Sequence, residues 1–209
     1  MVFICCSLEL EIFSYGGFYV ALIKKITGKF ERACRGNKRL FKIYSLPYRN
    51  AVLREVKLGN IEEDDVVLNV GCGGLPFTAF YLAGLSQARV IAVDVDLEAI
   101  NSARKLFSEN NFPSLESEIE FAVMSGCRAA AELNYDIIVA ALQTENKLEM
   151  IKILDDNPGG WKFITREPRK IFGSQYESLS SKVNPSDSVG HYFPTFGRSI
   201  LIEPGGLSF

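Results

Sequence analysis

Apolar and polar residues follow two different rhythms along the chain, and the rhythm changes near residue 60. Before that point the spacing is helical. From residue 64 onward, short β-rich runs alternate with helical stretches, the pattern of βαβ units on a parallel sheet. Residues 65–70 predict a first strand, 71–75 a turn, and Pro76 opens a helix reaching about Ser86, since proline suits a first helical turn. Residues 89–94 predict a second strand. Asp96 reads as the N-cap of a helix over 97–109, with Ile100, Ala103, Leu106 and Phe107 at helical spacing.

A polar loop containing Pro113 follows over 110–117, then a third strand over 119–123 and a short alanine-rich helix. The run from Tyr135 to Leu142 is almost continuously apolar, as expected of a central strand covered on both faces. A helix over 147–154, a break at 156–160 and a fifth strand over 161–165 complete the alternation. In the tail, 178–188 reads as loop. Segments 191–193 and 199–203 then flank a turn at 194–197, which predicts an antiparallel hairpin closing a parallel sheet. The chain thus divides into a helical N-terminal extension or lid over 1–60 and an α/β domain over 61–209.

Composition narrows the class without identifying it. Of 209 residues, 47% are hydrophobic and 23% charged, the balance of an ordinary globular protein. A net charge of −2 gives no overall pull toward nucleic acid. Eight Lys/Arg lie between Lys24 and Lys42 against one acid, Glu31. Such a stretch is either a phosphate or RNA patch or, more simply, a solvated helix face. The five cysteines (5, 6, 34, 72 and 127) form no CxxC pair, and His191 is the only histidine, so no four-ligand zinc pattern exists. Free thiols suit a reducing, cytoplasmic setting. The uncharged stretch 12–23 falls short of the roughly 20 residues of a membrane span.

The informative stretch runs from Val70 through Gly71, Cys72, Gly73 and Gly74 to Thr78, between strand and helix. Glycine there lets the backbone turn tightly and approach a ligand, and the helix N-terminus beyond presents free N–H groups. Asp94 ends the next strand, where a carboxylate can accept hydrogen bonds from both hydroxyls of a ribose. A dinucleotide fingerprint requires a third glycine where Pro76 stands, which argues against a pyrophosphate cofactor.

The runs Val67-Leu-Asn-Val-Gly-Cys-Gly73 and Val90-Ile-Ala-Val-Asp-Val-Asp96 resemble class I S-adenosylmethionine-dependent methyltransferases. The resemblance covers about residues 61–203. It implies a Rossmann-like, mostly parallel sheet with a C-terminal antiparallel hairpin, carrying a small helical N-terminal extension. It also implies S-adenosylmethionine as cofactor. Gly71, Cys72 and Gly73 would line its methionine part and Asp94 its ribose. Val95 would flank the adenine, with Cys127 and Ala141 as further contacts. A narrower resemblance joins Gly73-Gly-Leu-Pro-Phe-Thr78, Val139-Ala-Ala-Leu142, Ile164-Thr-Arg166 and Leu46-Pro-Tyr-Arg49 to nicotianamine synthases. Those enzymes share the fold but transfer the aminocarboxypropyl group in place of methyl, and a tyrosine near Tyr48 belongs to their active site.

Methyl transfer needs positioning more than dedicated catalytic groups, so candidates are sought at the C-terminal edge of the sheet. Gln143, Thr144 and Glu145 follow strand four; Arg166 and Glu167 follow strand five. Glu145 is a candidate base or a helix cap, Tyr48 a catalytic or packing aromatic, and Tyr44 a companion in the lid. His191 is expected to be structural or exposed, and Cys72 a small buried residue, not a nucleophile. The absence of an Asn-Pro-Pro-aromatic loop and of a Pro-Cys pair argues against nucleic-acid amino or cytosine C5 methylation, leaving a small-molecule acceptor. Three readings stand: a methyltransferase, an aminocarboxypropyl transferase, and a catalytically silent cofactor-binding module.

Overall fold

The computed structural model describes residues 37–110, 112, 118–156, 159–173 and 175–208. Most of the basic N-terminal stretch and the Pro113 loop therefore lie outside the described residues, as do Cys5, Cys6 and Cys34. Helix α1 spans Lys38–Gly59. The Asn37 side-chain oxygen caps its start, accepting from the Leu40 N–H at 3.1 Å. Asn60, in the left-handed region, closes it by donating to the carbonyls of Val56 and Lys57. There follow β1 (Val66–Val70), α2 (Phe77–Ser86), β2 (Arg89–Asp94), α3 (Leu97–Asn110), β3 (Ile119–Val123), α4 (Gly126–Glu132), β4 (Ile137–Ala140), α5 (Lys147–Asp155), β5 (Lys162–Pro168), β6 (Asp187–Gly190) and β7 (Phe196–Ile202).

These strands form one seven-stranded sheet in the order β3-β2-β1-β4-β5-β7-β6. The first five are parallel neighbours; β7 runs antiparallel to both β5 and β6. Strand order reverses between β1 and β4, so the crevice beyond their C-terminal ends is where a ligand binds in such a sheet. Helices cover both faces. Ala79, Leu82, Ile100 and Leu106 pack on one face, and Met150, Ile151 and Leu154 on the other. Strand β4 is buried throughout and β2 is buried between its two end residues, which explains their apolar runs.

Helix α1 is joined to the first face by an aromatic cluster. The Phe41 ring, fully buried, lies 5.1 Å from Phe77, 5.0 Å from Phe80, 5.4 Å from Phe112 and 6.3 Å from Phe107. Such tilted and edge-on pairs add to the burial of apolar area.

Several boundaries differ from the sequence expectation, among them the second hairpin arm, which begins at Phe196 inside the expected turn. The fifth strand continues to Pro168, because Arg166 and Glu167 are buried inside it with their polar groups satisfied. The first arm of the hairpin is 187–190, not 191–193. It is a mostly exposed edge strand without apolar alternation, and only its pairing with β7 defines it. The fourth strand is the shorter run 137–140.

Replacing Phe41 with alanine should cost about 3–5 kcal/mol, the usual range for emptying an aromatic core position. Chemical denaturation of Phe41→Ala against the parent measures this. A loss below about 1 kcal/mol would mean that α1 is not part of the cooperative core.

Candidate active site

Gly71 continues β1 into the turn with φ +77°, and Gly73 follows with φ +65°. Both lie in the left-handed region where a side chain is strained. The two positions differ in surroundings. A Cβ on Gly71 would stand 2.7 Å from Thr144 Oγ1 and 3.4 Å from Ala141 Cβ, whereas one on Gly73 would meet nothing within 4 Å. Gly71 is packed against the β4 loop; Gly73 faces open space. The N–H groups of Gly71 and Cys72 both donate to Val93 O, at 2.9 and 3.1 Å, so the turn is pinned to the end of β2.

Asp94 lies at that same end. Its Oδ2 accepts from Gly73 N–H at 2.9 Å and its Oδ1 from Asp96 N–H at 3.0 Å. An ionised carboxylate has about four acceptor positions. One on each oxygen is taken here, which leaves one on each for a ligand. The carboxylate is thereby held in one orientation against the glycine turn. Asp96 in turn accepts from Glu98 N–H at 2.8 Å and caps α3 as expected. Val95 beside it is 72% exposed, and Val123 lies opposite Asp94 on β3, also exposed.

Cys72 is buried. Burial and then the nearby Asp94 charge push its thiol up to about 12, so it stays protonated and unreactive, in line with the small-residue expectation. Cys127, at the start of α4, is half-buried, and burial raises its thiol as well. On the other side of the turn, Ala141 N–H continues the ladder to Val70 O at 3.0 Å, and Thr144 Oγ1 donates to the same carbonyl at 3.0 Å. Thr144 is therefore committed to the fold. Glu145 is exposed and does not cap α5: Asn146 occupies the cap position, and the Lys147 N–H donates to Glu177 Oε2 at 2.9 Å. The buried Lys147 ammonium donates to Leu142 O at 3.0 Å and holds the β4 loop from within.

Tyr48 projects from α1 at the same edge. Its ring lies 5.3 Å from Phe77, the first residue of α2, and 4.8 Å from Phe193, which stacks on Phe196 at 4.4 Å. Tyr44 and Tyr48 are both half-buried against the aromatic core.

Behind this aromatic group is a polar network that sequence reasoning missed. Arg166, 4% exposed, makes a bidentate pair with the fully buried Glu55, Nε to Oε1 and Nη2 to Oε2, both at 2.8 Å. Arg166 Nη2 also donates to Thr78 Oγ1 at 3.2 Å, and its guanidinium lies 5.0 Å from the Phe196 ring centre. Ser199 Oγ donates to Glu55 Oε1 at 2.6 Å, and His191 Nε2 lies 2.9 Å from Ser199 Oγ. A carboxylate accepts only, so the Ser199 proton points to Glu55. His191 must then donate through Nε2. Its Nδ1 carries a lone pair that has no partner among the described residues.

Burial works against the Glu55 charge, but the Arg166 cation and the hydrogen bonds from Arg166 and Ser199 outweigh it and hold the carboxyl below its usual value. Burial lowers His191, and the Arg166 and Arg54 cations add to that against the pull of Glu55. His191 is thus buried, not exposed, and uncharged. The available signal for Glu55 was its position on the helical stripe Phe41, Ser45, Tyr48, Val52, where a charge is out of place. Glu167 is likewise structural, accepting from Ser178, Ser180 and the Leu179 N–H.

A cavity of about 500 Å³ opens at the opposite, N-terminal edge of the strands, lined by Val66, Asn134, Tyr135, Asp136 and Trp161 among others. Two of its polar side chains already serve the fold. Tyr135 donates to Ala130 O at 2.6 Å, and Asp136 accepts from Val66 N–H at 2.8 Å. The glycine turn and Asp94 lie at the other edge, at the C-terminal ends of the strands. Among the described residues there is no group of His, Cys, Asp and Glu that could hold a metal ion, and no helix long and apolar enough to cross a membrane.

Sheet order, glycine turn and strand-end acid together define the fold of S-adenosylmethionine-dependent methyltransferases. Solved structures agree. A mutant nicotianamine synthase (MtNAS) in complex with S-adenosylmethionine superposes with a TM-score of 0.71 at 18% identity, over 88% of this chain and 74% of that one. An RNA methyltransferase from Salinibacter ruber in complex with S-adenosyl-L-homocysteine gives 0.57 at 16% identity, over 76% of this chain and 94% of the other. M. capricolum TrmK with S-adenosyl-homocysteine gives 0.51 at 16% identity, over 77% and 69%. No protein-family model and no curated protein gives a significant match to the sequence.

Two outcomes check this geometry. Glu55→Ala would leave a buried guanidinium uncompensated, so it should destabilise by about 3–5 kcal/mol in thermal or denaturant unfolding. A neutral result would refute the pairing. Because His191 is held below its usual value of 6.5, the folded state takes up fewer protons than the unfolded one as pH falls from 6.5. Stability should therefore drop with acidification through that window, and His191→Gln should flatten this part of the curve. Parallel unfolding curves for parent and variant between pH 7 and 5 would exclude the assignment.

Proposed function

We propose that the protein is an S-adenosylmethionine-dependent transferase acting on a small-molecule acceptor, most simply a methyltransferase. The supporting observation is the Asp94 carboxylate, fixed by the Gly73 and Asp96 amides with one acceptor position left on each oxygen. That is the arrangement needed to take both hydroxyls of a ribose. Open space at Gly73 is compatible with a ligand passing close to the backbone there, and the pairing of Asp94 with Val123 leaves an exposed apolar edge for a base beside Val95.

Bound in this crevice, S-adenosylmethionine would supply an electrophilic carbon on a sulfonium, the electron pair of the broken C–S bond leaving on sulfur. The protein's contribution is alignment and exclusion of water. In this reading Gly71, Cys72 and Gly73 line the methionine side, with Ala141 and Cys127 further along the same edge. Tyr48, held between Phe77 and Phe193, is the candidate to orient the acceptor. Glu145, exposed on the β4 loop, is the candidate base.

A second reading is aminocarboxypropyl transfer. What favours it is the longer superposition on nicotianamine synthase, 88% of the chain against 76% for the RNA methyltransferase. The by-product separates the two: S-adenosylhomocysteine marks methyl transfer, methylthioadenosine marks transfer of the larger group, and neither marks a silent module.

Incubation of the protein with S-adenosylmethionine and a small-molecule extract, followed by product analysis, should yield S-adenosylhomocysteine. Asp94→Ala should weaken affinity for that product by about 100-fold or more, the loss of two hydrogen bonds to a charged acceptor. Unchanged affinity by calorimetry would sink the ribose assignment.

A further inference from the structure

The buried network joins three parts of the molecule that the proposed reaction needs held together. Glu55 lies on α1, seven residues and two turns from Tyr48, so both occupy the same face of that helix. Arg166 lies on β5 and bonds Glu55 with both arms of its fork. One of those arms also bonds Thr78, the second residue of the helix that the glycine turn opens. Phe77, next to Thr78, forms one wall against Tyr48. The tyrosine's helix, the cofactor turn's helix and the central sheet therefore meet at a single guanidinium.

Stapling alone does not account for this arrangement. The Phe41 cluster already anchors the N-terminal half of α1, and a buried ion pair is a poor way to stabilise a core that apolar residues could fill. What a fork supplies, and an apolar pair does not, is fixed geometry. The carboxylate is saturated along one direction by Arg166 and Ser199, and Ser199 is oriented in turn by His191. Among the described residues, the Thr78 hydroxyl carries the bond from this network to α2.

We propose that Arg166, Glu55 and Thr78 are positioning residues of the transferase site, coupling the seat of Tyr48's helix to the first turn of α2, so that a ligand in the glycine turn orders α1. This rests on the cofactor reading above. None of the three is required to touch the reacting atoms.

Thr78→Val tests the coupling, because it keeps the branched shape and removes only the hydroxyl. Its thermal unfolding should fall only modestly, one buried Arg166 N–H losing this acceptor, while its affinity for S-adenosylhomocysteine, by calorimetry, falls about tenfold. Amide exchange over residues 44–55 should slow on ligand addition in the parent and no longer do so in the variant. Thr78→Ser, which keeps the hydroxyl that accepts from Arg166, should retain both. Arg166→Lys, keeping the cation without the fork, should reproduce the loss of affinity and of ligand-dependent exchange seen in Thr78→Val, with a larger fall in stability. If the parent itself does not bind S-adenosylhomocysteine, the cofactor reading falls and this proposal with it. If the parent binds and Thr78→Val or Arg166→Lys matches it in affinity and in exchange, the cofactor reading stands and the positioning role is overturned.

Discussion

Two backbone amides converge on the carboxylate of Asp94, one from the glycine turn after β1 and one from the start of α3. On this convergence the architecture of the site depends. A bare loop of glycines is entropically expensive to order, and here it is ordered by bonds to its neighbours: to Val93 O through two amides, to Asp94 through a third, and by the packing of Gly71 on Thr144 and Ala141. The turn is rigid on the side facing the sheet and open on the side facing solvent. A preformed crevice of this kind loses little freedom when a ligand arrives.

The second constraint is the pairing of Glu55 with Arg166. Neither charge tolerates burial alone, and each offsets the other's desolvation. The pair commits α1 to a single seat over the C-terminal edge, where Tyr48 meets Phe77 and Phe193. The β4 loop is held from below in a comparable way, by the Lys147 ammonium on Leu142 O and the Thr144 hydroxyl on Val70 O. The crevice is thus bordered by backbone that polar side chains hold from inside the fold, and few of those side chains remain available for chemistry.

Local signals were readable from the chain, and long-range ones were not. The β1–turn–α2 unit and Asp94 stood out because glycine, proline and a strand-ending acid act on their immediate neighbours; the same is true of Asp96 as a cap. The antiparallel arm at 187–190 was misjudged because an exposed edge strand carries no apolar alternation, and its identity comes only from β7 beside it. Arg166 and Glu55 are 111 positions apart; the α1 stripe marks Glu55 as out of place, but nothing local names its partner. His191 was read as exposed or structural for the same reason; its Ser199 partner shares the hairpin, but Glu55 does not.

The span of that network bears on how the polypeptide emerges from the ribosome. Glu55 takes a bond from Ser199, 144 residues further along. At ordinary elongation rates of about 5–20 residues per second, that interval lasts roughly seven to thirty seconds. Until Arg166 emerges, 111 residues after Glu55, the nascent α1 carries a carboxylate without its cation on the same stripe as Phe41 and Tyr48. A stripe carrying an uncompensated charge stays hydrated and is a poor surface for premature collapse. Strand β5 brings the Arg166 cation that neutralises it, and β7 later adds the Ser199 bond.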